Sequence, residues 1–273
     1  MIVLGSSDFR FDSPYPIHPE RLPSRELREG KYVVRFASNA EELDAVLRLR
    51  FEVFNLEMGE GLEGSFESER DLDQFDPVCH HLVVVDTTDG EVVGSYRLQT
   101  YEMALENFGF YSNIEFDLES LPGRIQADSV ELGRACVALE HRSTQVLFLL
   151  WKGLALYVAA NRKRFLFGCS SLTSQDPGEA KALMDHLEAK GHLHPELEVV
   201  PRPDFECFDS DYAGDPRLRV KVPQLFRIYL RHGAKVCGIP AIDREFKTID
   251  FFVLFDVEAM PRRMYRTFFG SES

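Results

Sequence analysis

The sequence predicts an α/β (α+β) fold, a β-sheet covered by helices, on three observations. Apolar, β-branched runs of strand length recur along the chain, and stretches with a 3.6-residue apolar stripe alternate with them. No composition break divides the 273 residues, so residues 1–30, rich in Pro, Ser and charge, are expected to form an extended arm and residues 31–273 a single domain with a C-terminal elaboration.

Taken in order, "KYVVRFA" (31–37) is a first strand, and "NAEELDAVLRLRFEVFNLEMG" (39–59) a helix with Asn39 as its N-cap. "HLVVVD", "TTDG" and "EVVGSYRLQT" make a strand, turn and strand, the Asp-Gly pair supplying the turn chemistry. Residues 101–128 show no regular pattern. "SVELGRACV" (129–137) follows as a strand, and "VLFLLWKGLALYVAA" (146–160) as a buried helix, too short at fifteen residues and interrupted by Lys152 to cross a bilayer. "FLFGCSS" (165–171) is a further strand and "PGEAKALMDHLEAKG" (177–191) a helix opened by Pro and closed by Gly. The later part offers a helix at "PQLFRIYLRHG", strands at "AKVCG" and "TIDFFVLFDV", and an amphipathic tail.

Lys plus Arg total 31 against 45 Asp plus Glu, and the net charge of −14 argues against nucleic-acid binding. The five scattered cysteines lack any short disulfide or C-x-x-C spacing, which fits a reducing cytoplasm. There is no G-x-S-x-G elbow, H-E-x-x-H, Walker loop or dinucleotide fingerprint. "CHH" (79–81) is a poor metal motif because neighbouring strand residues point to opposite faces, so no metal is expected.

Charges in apolar settings single out the remaining candidates. Arg50 falls in the middle of the apolar stripe formed by Leu43, Val46, Leu47, Phe54 and Met58, where it needs a carboxylate or an anionic ligand. Asp71, Asp73 and Asp76 lie in the following loop, and Arg97 near the end of a strand. Glu131 and Arg134, three apart on another strand, would point to opposite faces unless the strand is irregular. A bulge at Gly133 would bring both to one face and leave an N–H free. A glutamate beside a free amide suits amide-forming acyl transfer, in which the N–H polarises a thioester carbonyl and the carboxylate takes a proton from the amine.

"RLRFEVF", "DLDQFD", "HLVVVD", "VVGSYRL" and "ELGRACV" occur in an order and spacing that resemble the GNAT-like acyltransferases, which include acyl-homoserine-lactone synthases and bacterial N-acyl amino acid synthases. "RLRFEVFNLEMG", "LDQFDPVCHHLVVVD" and "LRHGAKVCGIPAIDREFKTIDFFVLFD" are similar within that group to the ornithine-lipid, hemolysin-like N-acyltransferases. The resemblance spans about residues 31–257 and implies a splayed, mixed GNAT-like sheet. It also implies that Arg50 and Phe54 face the amine substrate, that Asp73, Asp76 and Arg97 form an electrostatic cluster with Arg50, and that Glu131 is the catalytic base with Arg134 beside it.

Two departures from that pattern shape the expected function. Lactone synthases carry a Trp after the first helix, where this chain has Met58, Gly59 and Glu60, so an acyl-homoserine-lactone synthase is the second choice. Coenzyme A-dependent GNAT enzymes carry glycines after the catalytic strand to hold the pyrophosphate, and "HRSTQVLF" has none. The donor expected is therefore an acyl-phosphopantetheine on acyl carrier protein, ahead of acyl-CoA, with no bound cofactor. Carrier proteins are acidic, and Arg217, Arg219, Lys221, Arg227, Arg231 and Lys235, in a stretch free of acidic residues, form a basic docking surface for one. "NRKR" (161–164) adds another basic cluster. The competing expectations for this surface are a solvated face or peripheral contact with the anionic inner membrane. The expected reaction moves a fatty acyl chain to the α-amine of an amino acid, ornithine first and glycine or another behind it, and a non-catalytic acyl-binding module is the remaining alternative.

Overall fold

A computed structural model describes residues 14–209 and 211–270, and the first thirteen residues of the expected arm lie outside them. In chain order the strands are β1 (Leu27–Glu29), β2 (Tyr32–Phe36), β3 (His80–Asp86), β4 (Val92–Thr100), β5 (Ser129–Val137), β6 (Phe165–Leu172), β7 (Lys235–Val236), β8 (Ala241–Asp243) and β9 (Thr248–Asp256). The helices are α1 (Ala40–Arg50), α2 (Ser65–Ser68), α3 (Tyr101–Glu106), α4 (Gly123–Ala127), α5 (Thr144–Ala160), α6 (Pro177–Ala189), α7 (Gln224–His232) and α8 (Arg262–Phe269). This is a mixed α/β fold, as expected. The chain gathers into two compact units, residues 14–99, 132–163 and 268–270 in the first and residues 100–131 and 164–267 in the second.

In the first unit β1, β2, β3 and β4 form an antiparallel meander. Residues 27–29, inside the expected arm, pair with β2 and extend the sheet. Asn39 caps α1 as expected, its Oδ1 accepting from the Glu42 N–H at 2.9 Å. α1 buries Leu43, Val46 and Leu47 and then continues without a break into a π-helical stretch, Phe51–Glu57, a geometry that clusters at functional sites. α5 lies on β2 and β3, and its contact is close because Gly153 has no side chain. A Cβ there would stand 2.6 Å from a Leu82 methyl and 3.0 Å from a Val34 methyl. Lys152 keeps its charge at the surface, 3.2 Å from Glu29, while the rest of α5 is largely buried. Among the described residues no helix is long and apolar enough to cross a membrane.

In the second unit Ser129–Glu131 of β5 pair in parallel with β6, β6 pairs antiparallel with β9, and both β7 and β8 pair with β9. Its core is aromatic: Phe110 meets Phe167 edge-on with centroids 4.8 Å apart, and Phe252 lies 5.3 Å from Phe167 and 5.6 Å from Phe116. These phenylalanines therefore serve as packing. Residues 101–128, patternless in sequence, fold into α3, α4 and two short 3₁₀ turns, Tyr111–Asn113 and Leu118–Ser120. Such pieces are too short for a periodic stripe to register. The "AKVCG" strand shrinks to two residues between Gly233 and Gly238, both at positive φ. A Cβ on Gly238 would lie 2.3 Å from the Val199 carbonyl oxygen.

Candidate active site

β5 is irregular, as its charge pattern requires, but the distortion sits on Arg134, at φ 49, and not on Gly133. A non-glycine residue held in the left-handed region costs on the order of 1–3 kcal/mol and persists only where its surroundings fix it. Here two aspartates do so: Arg134 Nε lies 3.2 Å from Asp71 Oδ2, and Nη2 lies 3.3 Å from Asp73 Oδ2.

These contacts belong to a buried network of three arginines and three aspartates in the first unit. Arg50, fully buried, donates from Nε to Asp71 at 2.7 Å and from Nη1 to Asp76 at 2.6 Å. Arg97 Nη1 reaches both Asp73 oxygens at 2.7 Å and Asp76 Oδ1 at 3.0 Å. The loop is tied to itself as well, because Asp76 accepts from the Asp73 N–H at 2.8 Å and Asp73 from the Phe75 N–H at 2.8 Å. Formal charges cancel, which is how Arg50, Asp71, Asp76 and Arg97 can be buried together, with Asp73 and Arg134 partly exposed at the edge of the network. Burial pushes the Asp76 carboxyl up, but Arg50 and Arg97 more than offset it and hold it well below the usual carboxylate range. Asp71, present in the same loop motif but not carried over from the resemblance, proves to be a full member. Phe54, also buried, is carried by the π-helical stretch.

Two histidines on β3 complete this polar interior. His80 Nε2 is 2.7 Å from the Ile17 carbonyl oxygen, so it must donate, and Nδ1 then accepts from the Tyr157 hydroxyl at 2.8 Å. His81 Nε2 likewise donates to the Asp76 carbonyl at 3.2 Å. Burial lowers the first to about 4 and the second to about 3, so both stay neutral.

Glu131, in the second unit, is held differently. Its two carboxylate oxygens accept from the Tyr111 and Ser112 backbone N–H groups at 2.7 and 2.6 Å, and it is 5% exposed. The turn that supplies these donors lies in the segment without sequence pattern. Ser112 Oγ is 3.7 Å from Cys169 Sγ, and Glu115 Oε2 is 3.9 Å from the same sulfur. Burial, followed by the charges of Glu115 and Asp250, raises the Cys169 thiol well above its ordinary value and keeps it protonated. Glu115, Asp243 and Asp250 bring carboxylate oxygens within 4.8 Å of one another, the one such group among the described residues able to hold a cation. Sequence spacing gave no hint of it, since the three are joined only by the fold.

The basic stretch is less uniform than its sequence suggests. Arg217 pairs with Asp215 at 3.2 Å, Arg219 donates to the Pro216 carbonyl at 2.6 Å, and Lys235 donates to the Gly191 carbonyl at 2.6 Å. Arg227 and Arg231 are exposed on α7, as is Lys221 just before it. In "NRKR", Arg164 is neutralised by Asp256 and Glu258, each at 2.7 Å, so that cluster is weaker than its composition implies.

Comparison with known proteins adds three findings. Residues 49–152 match the acetyltransferase (GNAT) domain model. The chain is 34% identical over 266 residues to an L-ornithine N(alpha)-acyltransferase of Agrobacterium fabrum, covering 90% of this chain and 87% of the relative, and 33% identical over 267 residues to one of Brucella abortus, covering 90% and 91%. Among solved structures the AHL synthase LasI matches with a TM-score of 0.48 at 12% identity, covering 90% of this chain and 98% of its own.

Proposed function

The chain belongs to the L-ornithine N(alpha)-acyltransferase family, and from that premise we propose that it moves a fatty acyl chain from acyl carrier protein to the α-amine of ornithine. It is an N-acyltransferase with a GNAT domain. In the reaction the α-ammonium first gives up a proton. The amine lone pair then forms a C–N bond at the thioester carbonyl, the C–S bond breaks, and the pantetheine sulfur leaves and is protonated as the thiol while the new amide nitrogen loses its second proton.

The observation that carries this reading is the Glu131 carboxylate, buried and fixed by two peptide N–H groups. We assign Glu131 as the general base, acting through a water. Arg97, Asp73, Asp76 and Phe54 are assigned to substrate binding and Arg134 to the catalytic set. Arg50, whose guanidinium is enclosed by Asp71 and Asp76, is better read as a positioning residue than as a substrate contact.

Acyl carrier protein is favoured over coenzyme A by the start of α5, where Ser143 Oγ accepts from the Val146 N–H and no glycine is available to hold a pyrophosphate. The exposed Lys221, Arg227 and Arg231, with Arg217, Arg219 and Lys235, supply the basic contact surface for an acidic carrier. The proposed location is the cytoplasm, with peripheral contact at the inner membrane where a lipidic product is delivered.

The test is acyl transfer by purified protein, with acyl carrier protein and acyl-CoA offered as donors and ornithine and glycine as acceptors. Mass spectrometry of an N-acylornithine formed from the carrier protein is the expected result. Formation of an acyl-homoserine lactone from S-adenosylmethionine instead would sink the reading.

A further inference from the structure

Between α6 and α7 the second unit holds a cavity of about 220 Å³. It is lined by the apolar Leu187, Val222 and Leu230 and by His186, His192, Arg227 and Arg231. Arg227 and Arg231 are four residues apart, so both guanidiniums leave one face of α7, an arrangement of like charges that weakens an isolated helix. Neither arginine forms an ion pair with a described residue, and neither histidine does. The charges that bear on His192 are all cationic: burial lowers its proton affinity first, then Lys235, His186 and Lys190. The cavity is thus lined by two arginines and two histidines and by no acidic residue, on a protein of net charge −14.

We propose that this cavity binds a phosphate ester, its oxygens received by the Arg227 and Arg231 guanidiniums with His186 and His192 at the rim. The planar guanidinium fork matches phosphate oxygens in a way that an ammonium does not. The volume is several times the ~30 Å³ share of one water, enough for a phosphate group and the first carbons of its ester. The apolar lining suits those carbons. The shared chemistry allows two sources: the phosphodiester at the root of a pantetheine arm, which rests on the carrier-protein reading above, and the headgroup of an anionic phospholipid.

The test uses the full chain with labelled histidine rings, titrated with inorganic phosphate at constant ionic strength against a chloride control. The expected result is a saturable shift of the His186 and His192 signals in phosphate only, weakened at least tenfold in the Arg227→Gln/Arg231→Gln double variant. Phosphopantetheine and phosphatidylglycerol vesicles are then offered as competitors, and the one that displaces phosphate identifies the source. A shift equal in chloride, a shift retained in the double variant, or competition by neither ester overturns the inference. Failure of the carrier-protein reading shows elsewhere, in the donor preference of the unaltered protein.

Discussion

In the first unit three arginines face three aspartates and every formal charge has an opposite partner, whereas in the second unit Glu131 is held by peptide N–H groups, with Glu115 and Asp250 bearing on the same Cys169 thiol. The first arrangement is closed, and removing one member strands a buried charge. The second fixes a carboxylate by peptide dipoles. Under the proposed assignments, substitutions should separate the two: loss of stability should dominate in the first region, even though Arg97, Asp73 and Asp76 are also proposed to meet substrate there, and loss of turnover in the second.

The largest effect is expected from Glu131→Gln. A general base contributes about 10²–10⁴-fold, so kcat should fall by that factor in the acyl-transfer assay. Gln also presents an NH₂ to one of two N–H donors, so circular dichroism should accompany the assay to show that the 111–112 turn still folds. Undiminished turnover would move Glu131 into the same structural category as the arginine network.

Asp76→Ala comes next. It leaves Arg50 and Arg97 short of a counter-charge, and urea unfolding should show a loss of about 3–5 kcal/mol. A double-mutant cycle with Arg97→Met sharpens the point, because removing both partners should cost clearly less than the sum of the single changes. Strict additivity would mean that the network is not a unit.

The first region also carries a pH dependence. His80 and His81 have folded values of about 4 and 3, below the unfolded 6.5, so the unfolded chain binds more protons between those limits. Their contribution is fully present above about pH 6.5 and is lost as pH falls, at a slope of about 1.4 kcal/mol per pH unit for each histidine. Asp76, depressed by its arginines, adds to the loss at still lower pH. Urea midpoints at pH 7, 6 and 5 should fall steadily, and His80→Gln should flatten the slope. A flat profile in the unaltered protein contradicts the burial argument. The smallest effect is expected away from both regions: Gly153→Ala forces a methyl against Leu82 and Val34, costing about 1–3 kcal/mol in thermal or urea unfolding with kcat unchanged.

Much of the fold was legible because long elements print their period. The stripe Leu43, Val46, Leu47 and the continuous apolar run of α5 each match one helix, and the Asp-Gly turn matches the β3–β4 connection. What failed were short pieces: β8, the three-residue β1, and the turns between 101 and 128, where capping and tertiary contact decide conformation and a stripe has no room to repeat. The charged residues were found for a related reason, since Arg50 and Arg134 are anomalies in apolar runs, and an anomaly is visible without a structure.

The sequence by itself determined which residues had to find partners: Arg50 on a buried stripe, Arg134 within a strand, Glu131 beside it. Only tertiary structure decided which partners they found. Asp71 and Asp76 reach Arg50 across 21 and 26 residues, the Tyr111 and Ser112 amides reach Glu131 across 20 and 19, and Asp243 meets Glu115 from more than a hundred residues away. A burial requirement is local and is written in the pattern of apolar neighbours, but the group that satisfies it is chosen by how the chain closes on itself.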